Sequence, residues 1–140
     1  MLKSTLLHPD ILYALASNGH GSKILIADSN FPVSTQTPIT CKKVFLNLAP
    51  GVLSVTDVLK VIHPYLPTES AKVMATPAGI DEPIHRVYNE ILGDKIVLER
   101  LSRQEFYKQT SSFETCLAIS TGDTRRFANI LIIMGVHLPK

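Results

Sequence analysis

Apolar residues along this chain recur with a helical period in some segments and stand in unbroken runs in others. The spacing i, i+3, i+4 and i+7 occurs twice, in Val55, Val58, Leu59 and Ile62 and again in Ile84, Val87, Tyr88 and Ile91. This spacing aligns apolar side chains on one face of a helix. The unbroken runs, such as residues 23–28 and 129–136, predict strands that are buried on both faces.

Helices and strands are therefore predicted in alternation. Helices are expected to begin at Pro9, after Ser54, at Pro83 and at Arg103, and strands are expected at residues 23–28, 42–48, 70–76, 95–101, 115–120 and 129–136. Gly19 and Gly93 are expected to end the first and third helices, because glycine commonly follows the last helical turn. The alternation predicts an α/β fold in which residues 1–140 form a single domain, with a mainly parallel or mixed sheet and helices on both faces.

Composition and charge restrict the possible partners. The chain has 140 residues, is 45% hydrophobic, and carries a formal net charge of +2 with its basic residues scattered. A charge this small and this dispersed predicts no nucleic-acid partner. No apolar stretch approaches the ~20 residues of a membrane span, and the first residues lack the apolar core of a signal peptide. We therefore expect no membrane partner and a cytoplasmic protein.

Motifs for common cofactors and nucleophiles are absent from the sequence. There is no Gly-x-Gly-x-x-Gly or Walker pattern, no Gly-x-Ser-x-Gly elbow and no His-Glu-x-x-His pair. Cys41 and Cys116 lie far apart and outside metal-ligand spacing, and the apolar run around Cys116 predicts a buried thiol. His8, His63, His85 and His137 show no metal spacing and are interpreted as structural or surface residues. We expect neither a metal nor a cofactor.

The strongest chemical signal is a histidine and an aspartate on either side of the first predicted strand. His20 lies in the glycine turn 18–21 and Asp28 follows the apolar run 23–27. Histidine transfers protons most readily near neutral pH, and the carboxyl ends of strands in α/β sheets gather ligands. A straight strand of five to eight residues separates its ends by roughly 17–26 Å. Either this strand is short and bent, or a neighbouring subunit supplies one of the two residues.

Several short segments, taken together, resemble one known family along the whole chain. They are residues 1–3, 18–21, 28–32, 103–107, 120–123, 127–131 and 135–136. The Gly19-His20 pair followed about eight residues later by Asp28-x-x-x-Pro32 is fairly specific, and Ala128-Asn129-Ile130 adds to it. The chain resembles the ribose pyranase and fucose mutarotase family of small sugar-isomerising proteins.

This resemblance implies a cofactor-independent enzyme that acts on a monosaccharide. It implies that His20 is the general acid, and it assigns sugar-binding roles to Asp28, Arg103, Phe127, Ala128 and Asn129. Arginine at position 103 is typical of the fucose branch and histidine of the ribose branch. Family members form rings of subunits, commonly decamers, with the site at a subunit boundary. The same arrangement would bring a His20 and an Asp28 from different subunits together.

Two residues depart from the family pattern. Phe127 stands where the family usually has tyrosine, which removes a hydroxyl, and Asn30 stands where the fucose branch often has histidine. The leading prediction is a mutarotase that interconverts the anomers of L-fucose or a similar sugar by acid and base catalysis. A D-ribose pyranase, a sugar-binding protein with impaired catalysis and an α/β oligomer with no ligand are the alternatives.

Overall fold

A computed structural model describes residues 1–78 and 82–140 of the chain. Over these residues the chain forms four α-helices and six strands, in the alternating order that the sequence predicts. The helices are α1 (Pro9–Ser17), α2 (Val55–Ile62), α3 (Pro83–Leu92) and α4 (Arg103–Thr110), and a single 3-10 turn (His63–Tyr65) follows α2. The strands are β1 (Lys23–Ala27), β2 (Lys42–Phe45), β3 (Thr68–Met74), β4 (Val97–Leu101), β5 (Thr115–Ser120) and β6 (Ile130–Met134).

The six strands form one mixed sheet in the order β2-β5-β1-β6-β3-β4. Strand β5 is parallel to both β1 and β2, and β3 is parallel to β4. Strand β6 is antiparallel to both of its neighbours, β1 and β3. The predicted mixed α/β sheet is thus confirmed. Because β6 runs against β1, the start of β6 lies beside the end of β1, and this edge of the sheet carries the site described below.

Both faces of the sheet are covered, as predicted. Helices α1, α2 and α3 pack on one face, where Ile24, Ile26 and Ile132 are completely buried. Helix α4 and the loop after β1 pack on the other face, where Phe106 lies against Phe31 and Leu25. Since every residue of β1 and β6 is buried, the central strands read as unbroken apolar runs.

The ends of the helices follow the predicted signals, with one correction. Ser54 and Asp57 form a reciprocal capping box, and Gly93 ends α3 with a φ of 86°. Gly19 does not end α1, contrary to the prediction. That helix ends at Ser17, and the amide of Asn18 donates to the carbonyl of Ala14 at 2.9 Å. A polar side chain therefore satisfies the helix end that glycine was expected to satisfy.

Candidate active site

A cavity of about 620 Å³ opens at the edge of the sheet where β1 and β3 end and β6 begins. The residues around it come from four places: the loop after β1, the segment after β3, the start of α4 and the loop before β6. Among them are Asp28, Arg103, Phe127 and Asn129. Four of the six residues to which the sequence analysis assigned a site role therefore line one cavity.

Asp28 stands at the end of β1 with its carboxylate fixed by the loop that follows. Its Oδ1 atom accepts hydrogen bonds from the backbone N–H groups of Asn30 and Phe31, both at 3.0 Å. Only 5% of the residue is exposed. Burial raises the pKa of Asp28, the nearby charge of Asp123 raises it further, and the two N–H donors oppose that rise. The carboxyl group is thus rigid and more easily protonated than an ordinary aspartate.

The start of β6 brings the segment 127–129 against Asp28. The side-chain oxygen of Asn129 accepts a 2.7 Å hydrogen bond from the backbone N–H of Asp28, which ties the two strand ends together. Phe127 adopts a φ of 54°, a left-handed conformation that disfavours a residue with a large side chain. Ala128 is completely buried in the core on the side of α3. Its methyl group does not line the cavity, unlike the side chains of its two neighbours.

Helix α3 holds this unusual backbone in place. His85 donates from Nε2 to the carbonyl of Phe127 at 3.0 Å, and the Tyr88 hydroxyl donates to the carbonyl of Ala128. Both side chains are almost fully buried, and their rings stack with centroids 6.3 Å apart. Burial raises the pKa of Tyr88 strongly, so this hydroxyl keeps its proton and remains a donor. The sequence analysis assigned no site role to either residue.

Arg103 reaches the cavity from the first turn of α4, on the sheet face opposite α3. The Ser102 hydroxyl caps this helix by accepting from the backbone N–H of Glu105 at 3.2 Å. The Arg103 guanidinium lies over the ring of Tyr107, 5.5 Å from its centroid, and donates to the Tyr107 hydroxyl at 3.4 Å. Tyr107 also lines the cavity and packs edge-on against Phe31. This aromatic contact orients an arginine that otherwise faces solvent.

The loop between β5 and β6 contributes two more arginines. Arg125 forms a 2.6 Å ion pair with Asp123, which also accepts from the backbone N–H of Val55 at the start of α2. Burial acts to raise the pKa of Asp123, but its bonds with Arg125 and the backbone outweigh burial and hold the pKa below its usual value. Arg126 instead lies over the ring of Phe127, 5.4 Å from its centroid. Neither arginine was singled out from the sequence.

Close backbone packing explains why position 122, in the motif 120–123, is a glycine. A Cβ atom at this position would lie 2.2 Å from the carbonyl oxygen of Ala49 and 2.6 Å from that of Val52. The backbone N–H groups of Gly122 and Gly51 bond across this contact. The loop that bears Arg125 and Arg126 is thereby fixed to the segment before α2.

His20 lies outside the cavity, at the opposite edge of the sheet from Asp28. Its neighbour Gly21 donates to the carbonyl of Met134 at the end of β6, whereas Asp28 meets the start of β6. His20 donates from Nε2 to Glu69 at 3.3 Å, and 59% of its side chain is exposed. Strand β1 has one irregularity in its pairing with β5, between Lys23 and Ile24, but its five residues still span roughly 15 Å. Of the two arrangements that the sequence left open, the bent strand is therefore ruled out within this chain.

Comparisons with known proteins bear on this arrangement. Residues 1–137 match the model of the RbsD / FucU transport protein family. The chain belongs to this family. The fucose mutarotase of Danio rerio is 30% identical to this RbsD / FucU member over 97% of the chain and 93% of its own length. The D-ribose pyranase of Variovorax paradoxus is 29% identical over 97% and 98%.

A solved structure supports the same family assignment. Bacillus subtilis RbsD, determined in complex with D-ribose, superposes with a TM-score of 0.85 at 26% identity, covering 99% of this chain and all of the other. The predicted family and its mixed α/β fold are thus confirmed, and with them the prediction of a sugar-isomerising enzyme.

Among residues 1–78 and 82–140, no helix is long and apolar enough to cross a membrane.

Proposed function

We propose that residues 1–140 form one sugar mutarotase domain that interconverts the anomers of a monosaccharide. The observation that carries this proposal is the cavity in which Asp28, Arg103 and Asn129 converge from β1, α4 and β6. Its volume of about 620 Å³ exceeds that of one sugar ring. Carboxylate, guanidinium and amide groups are suited to the hydroxyl groups of a sugar.

The reaction requires only proton transfers. The ring oxygen must gain a proton while the anomeric hydroxyl loses one, after which the ring opens, the aldehyde rotates and the ring closes. A general acid and a general base each accelerate such a step by roughly 10²–10⁴-fold. Asp28 is rigid and buried beside the cavity, and its raised pKa favours binding and exchanging a proton. L-Fucose is the first candidate substrate, since Arg103 is typical of the fucose branch.

We propose that the general acid is His20 of another subunit. The imidazole of each chain is exposed and lies too far from the chain's own cavity to act there. Large apolar side chains such as Phe45, Leu48 and Phe113 are also exposed, which is common at subunit interfaces. A closed ring of subunits, a decamer by resemblance, places one subunit's exposed edge against the next in every copy. A cytoplasmic location stays a prediction of the sequence.

The test is exchange spectroscopy by NMR, which measures the rate between anomers with and without the protein. L-Fucose, D-ribose and D-galactose form the initial panel, because the fucose mutarotase and ribose pyranase relatives differ by one percentage point in identity. We expect His20→Ala to abolish the acceleration, and His63→Ala, a second histidine outside the cavity, to retain it. Unchanged exchange in the His20 variant contradicts the catalytic assignment.

Phe127 favours a second candidate, a sugar-binding protein with little catalysis. The phenyl ring lines the cavity but offers no hydroxyl to the sugar. This alternative is supported if calorimetry detects binding of a sugar while the anomers of that sugar exchange at the uncatalysed rate. Phe127→Tyr then tests the cause, since a restored hydroxyl is expected to raise the exchange rate.

A further inference from the structure

The cavity carries more positive charge than recognition of sugar hydroxyls requires. Its charged side chains are one carboxylate, Asp28, and three guanidinium groups, those of Arg103, Arg125 and Arg126. Arg125 is neutralised by Asp123, with contacts of 2.6 and 3.0 Å. Within the part of the chain that the structure describes, Arg103 and Arg126 form no ion pair with a carboxylate. Within one chain, two unneutralised cations and a single buried aspartate therefore line the cavity.

Both of these cations are held in place by aromatic rings that themselves line the cavity. Arg103 lies over Tyr107 and Arg126 lies over Phe127, at 5.5 and 5.4 Å from the ring centroids. A guanidinium over a ring face keeps its N–H edge available, and that edge matches the oxygens of carboxylates and phosphates in pairs. Among residues 1–78 and 82–140, these two guanidinium groups make one hydrogen bond, from Arg103 to the Tyr107 hydroxyl, and their other donors are available to a ligand.

The position of Phe127 restricts how Arg126 can be oriented. Its left-handed backbone is held by the bond from His85, and its partly buried ring packs against the core on the α4 side of the sheet and lies under the Arg126 guanidinium. Arg126 is thus presented by a rigid segment, and Arg103 by a capped helix on the opposite sheet face. Two arginines that converge from separate elements are pre-organised for a multiply charged or bidentate group.

We infer that this site prefers a monosaccharide that bears an anionic group, a phosphate or a carboxylate, and that Arg103 and Arg126 bind that group. The inference rests on the proposed function and narrows its class of substrate. Asp28 does not exclude an anion, because its Oδ1 is already bonded to two backbone N–H groups and burial lowers its tendency to ionise. The aspartate is left to contact the sugar hydroxyls, while the arginines bind the charged substituent.

A matched set of sugars tests this preference. D-Galactose, D-galacturonate and D-galactose 6-phosphate share one ring and differ only at C6, so the carboxylate and the phosphate are tested in separate arms. Dissociation constants are measured by calorimetry, and each anomeric exchange rate is divided by its rate without protein. We expect at least one anionic sugar to bind roughly tenfold or more tightly than galactose, the value of one charge-assisted hydrogen bond. Its affinity, unlike that of galactose, should fall as NaCl is raised.

The variant Arg126→Gln tests the residue itself. We expect it to lower the ratio of anionic to neutral affinity by roughly tenfold. Arg86→Gln removes the same charge from an exposed position on α3 outside the cavity and should leave the ratio at its wild-type value. If the variant does not fold, the salt dependence of the wild-type protein still tests whether the site prefers an anionic sugar.

The outcomes separate this inference from the proposed function. Accelerated exchange of a neutral sugar, with anionic sugars bound equally or more weakly, overturns the inference and leaves the function intact. Tight binding of an anionic sugar without accelerated exchange of any sugar supports the inference and contradicts the enzymatic function. An Arg126→Gln variant with an unchanged affinity ratio also overturns the assignment of the anion to Arg126.

Discussion

At the scale of single residues, the ionised carboxylate of Asp28 is costly for the stability of the folded protein. Its carboxylate is buried, and Asp123 lies close enough to raise its pKa further, so ionisation opposes the folded state. Two backbone N–H groups compensate this cost only in part. A buried carboxyl group with a raised pKa is typical of a functional site, where residues needed for activity often lower the stability of the fold.

We predict that Asp28→Asn stabilises the protein and abolishes sugar exchange. Asparagine retains the oxygen that accepts from Asn30 and Phe31, but it removes the buried charge. Because the folded-state pKa of Asp28 is raised above the unfolded value of 3.8, the wild type loses stability as the pH rises through the folded-state value. The variant does not titrate, so its advantage in melting temperature should be present at pH 7 and narrow towards pH 4. A variant less stable than wild type at pH 7 contradicts this.

The sequence predicted the cavity better than it predicted the surrounding contacts. The resemblance of the sequence to the family assigned sugar-binding roles to Asp28, Arg103, Phe127 and Asn129, and all four line the cavity; their roles stay predictions. Arg126 was missed because its partner is an adjacent ring whose orientation depends on a left-handed residue. No local sequence pattern predicts the left-handed conformation of Phe127, since phenylalanine rarely adopts it.

At the scale of elements, α3 acts as the support of the site although it contributes no residue to the cavity. Its sequence shows only the apolar spacing of a buried helix face, in which Tyr88 reads as a core residue. In the fold that tyrosine faces a carbonyl 40 positions further along the chain. Contacts of this kind depend on the strand order, and β6 inserts between β1 and β3 in a way that helix and strand periods do not specify. Element identity was therefore predictable, and the support of the site was not.

We predict that Tyr88→Phe weakens sugar binding more than it slows turnover. Loss of the hydroxyl leaves the buried carbonyl of Ala128 without this donor, at a cost of about 1–2 kcal/mol in the free energy of unfolding. The segment 127–129 then loosens, which should raise KM for the sugar while kcat changes less. Steady-state exchange rates at several sugar concentrations separate the two. Tyr13→Phe, at an exposed tyrosine on α1, is the control and should change neither value.

At the scale of the whole molecule, the two residues with the clearest chemical signal lie at opposite edges of the sheet. Asp28 contacts the residue before β6, and Gly21, next to His20, contacts the last residue of β6. The length of β1 therefore separates the proposed acid from the cavity of its own chain. Glu69 holds the His20 ring at the exposed edge. On the proposed shared site, an isolated chain contains one half of each of two sites, and catalysis depends on assembly.

This dependence predicts complementation between two inactive variants. His20→Ala retains an intact cavity, and Asp28→Asn retains an intact imidazole, so neither protein alone should accelerate exchange. When the two are unfolded together in equal amounts and refolded, random assembly places an intact His20 beside an intact Asp28 at about a quarter of the sites. The refolded mixture should regain about that share of wild-type exchange, measured by NMR at constant total protein. Simple mixing without refolding is the control for subunit exchange. If the refolded mixture is as inactive as its components, the shared site is contradicted. Either both residues then act in the site of one chain, or neither acts in catalysis.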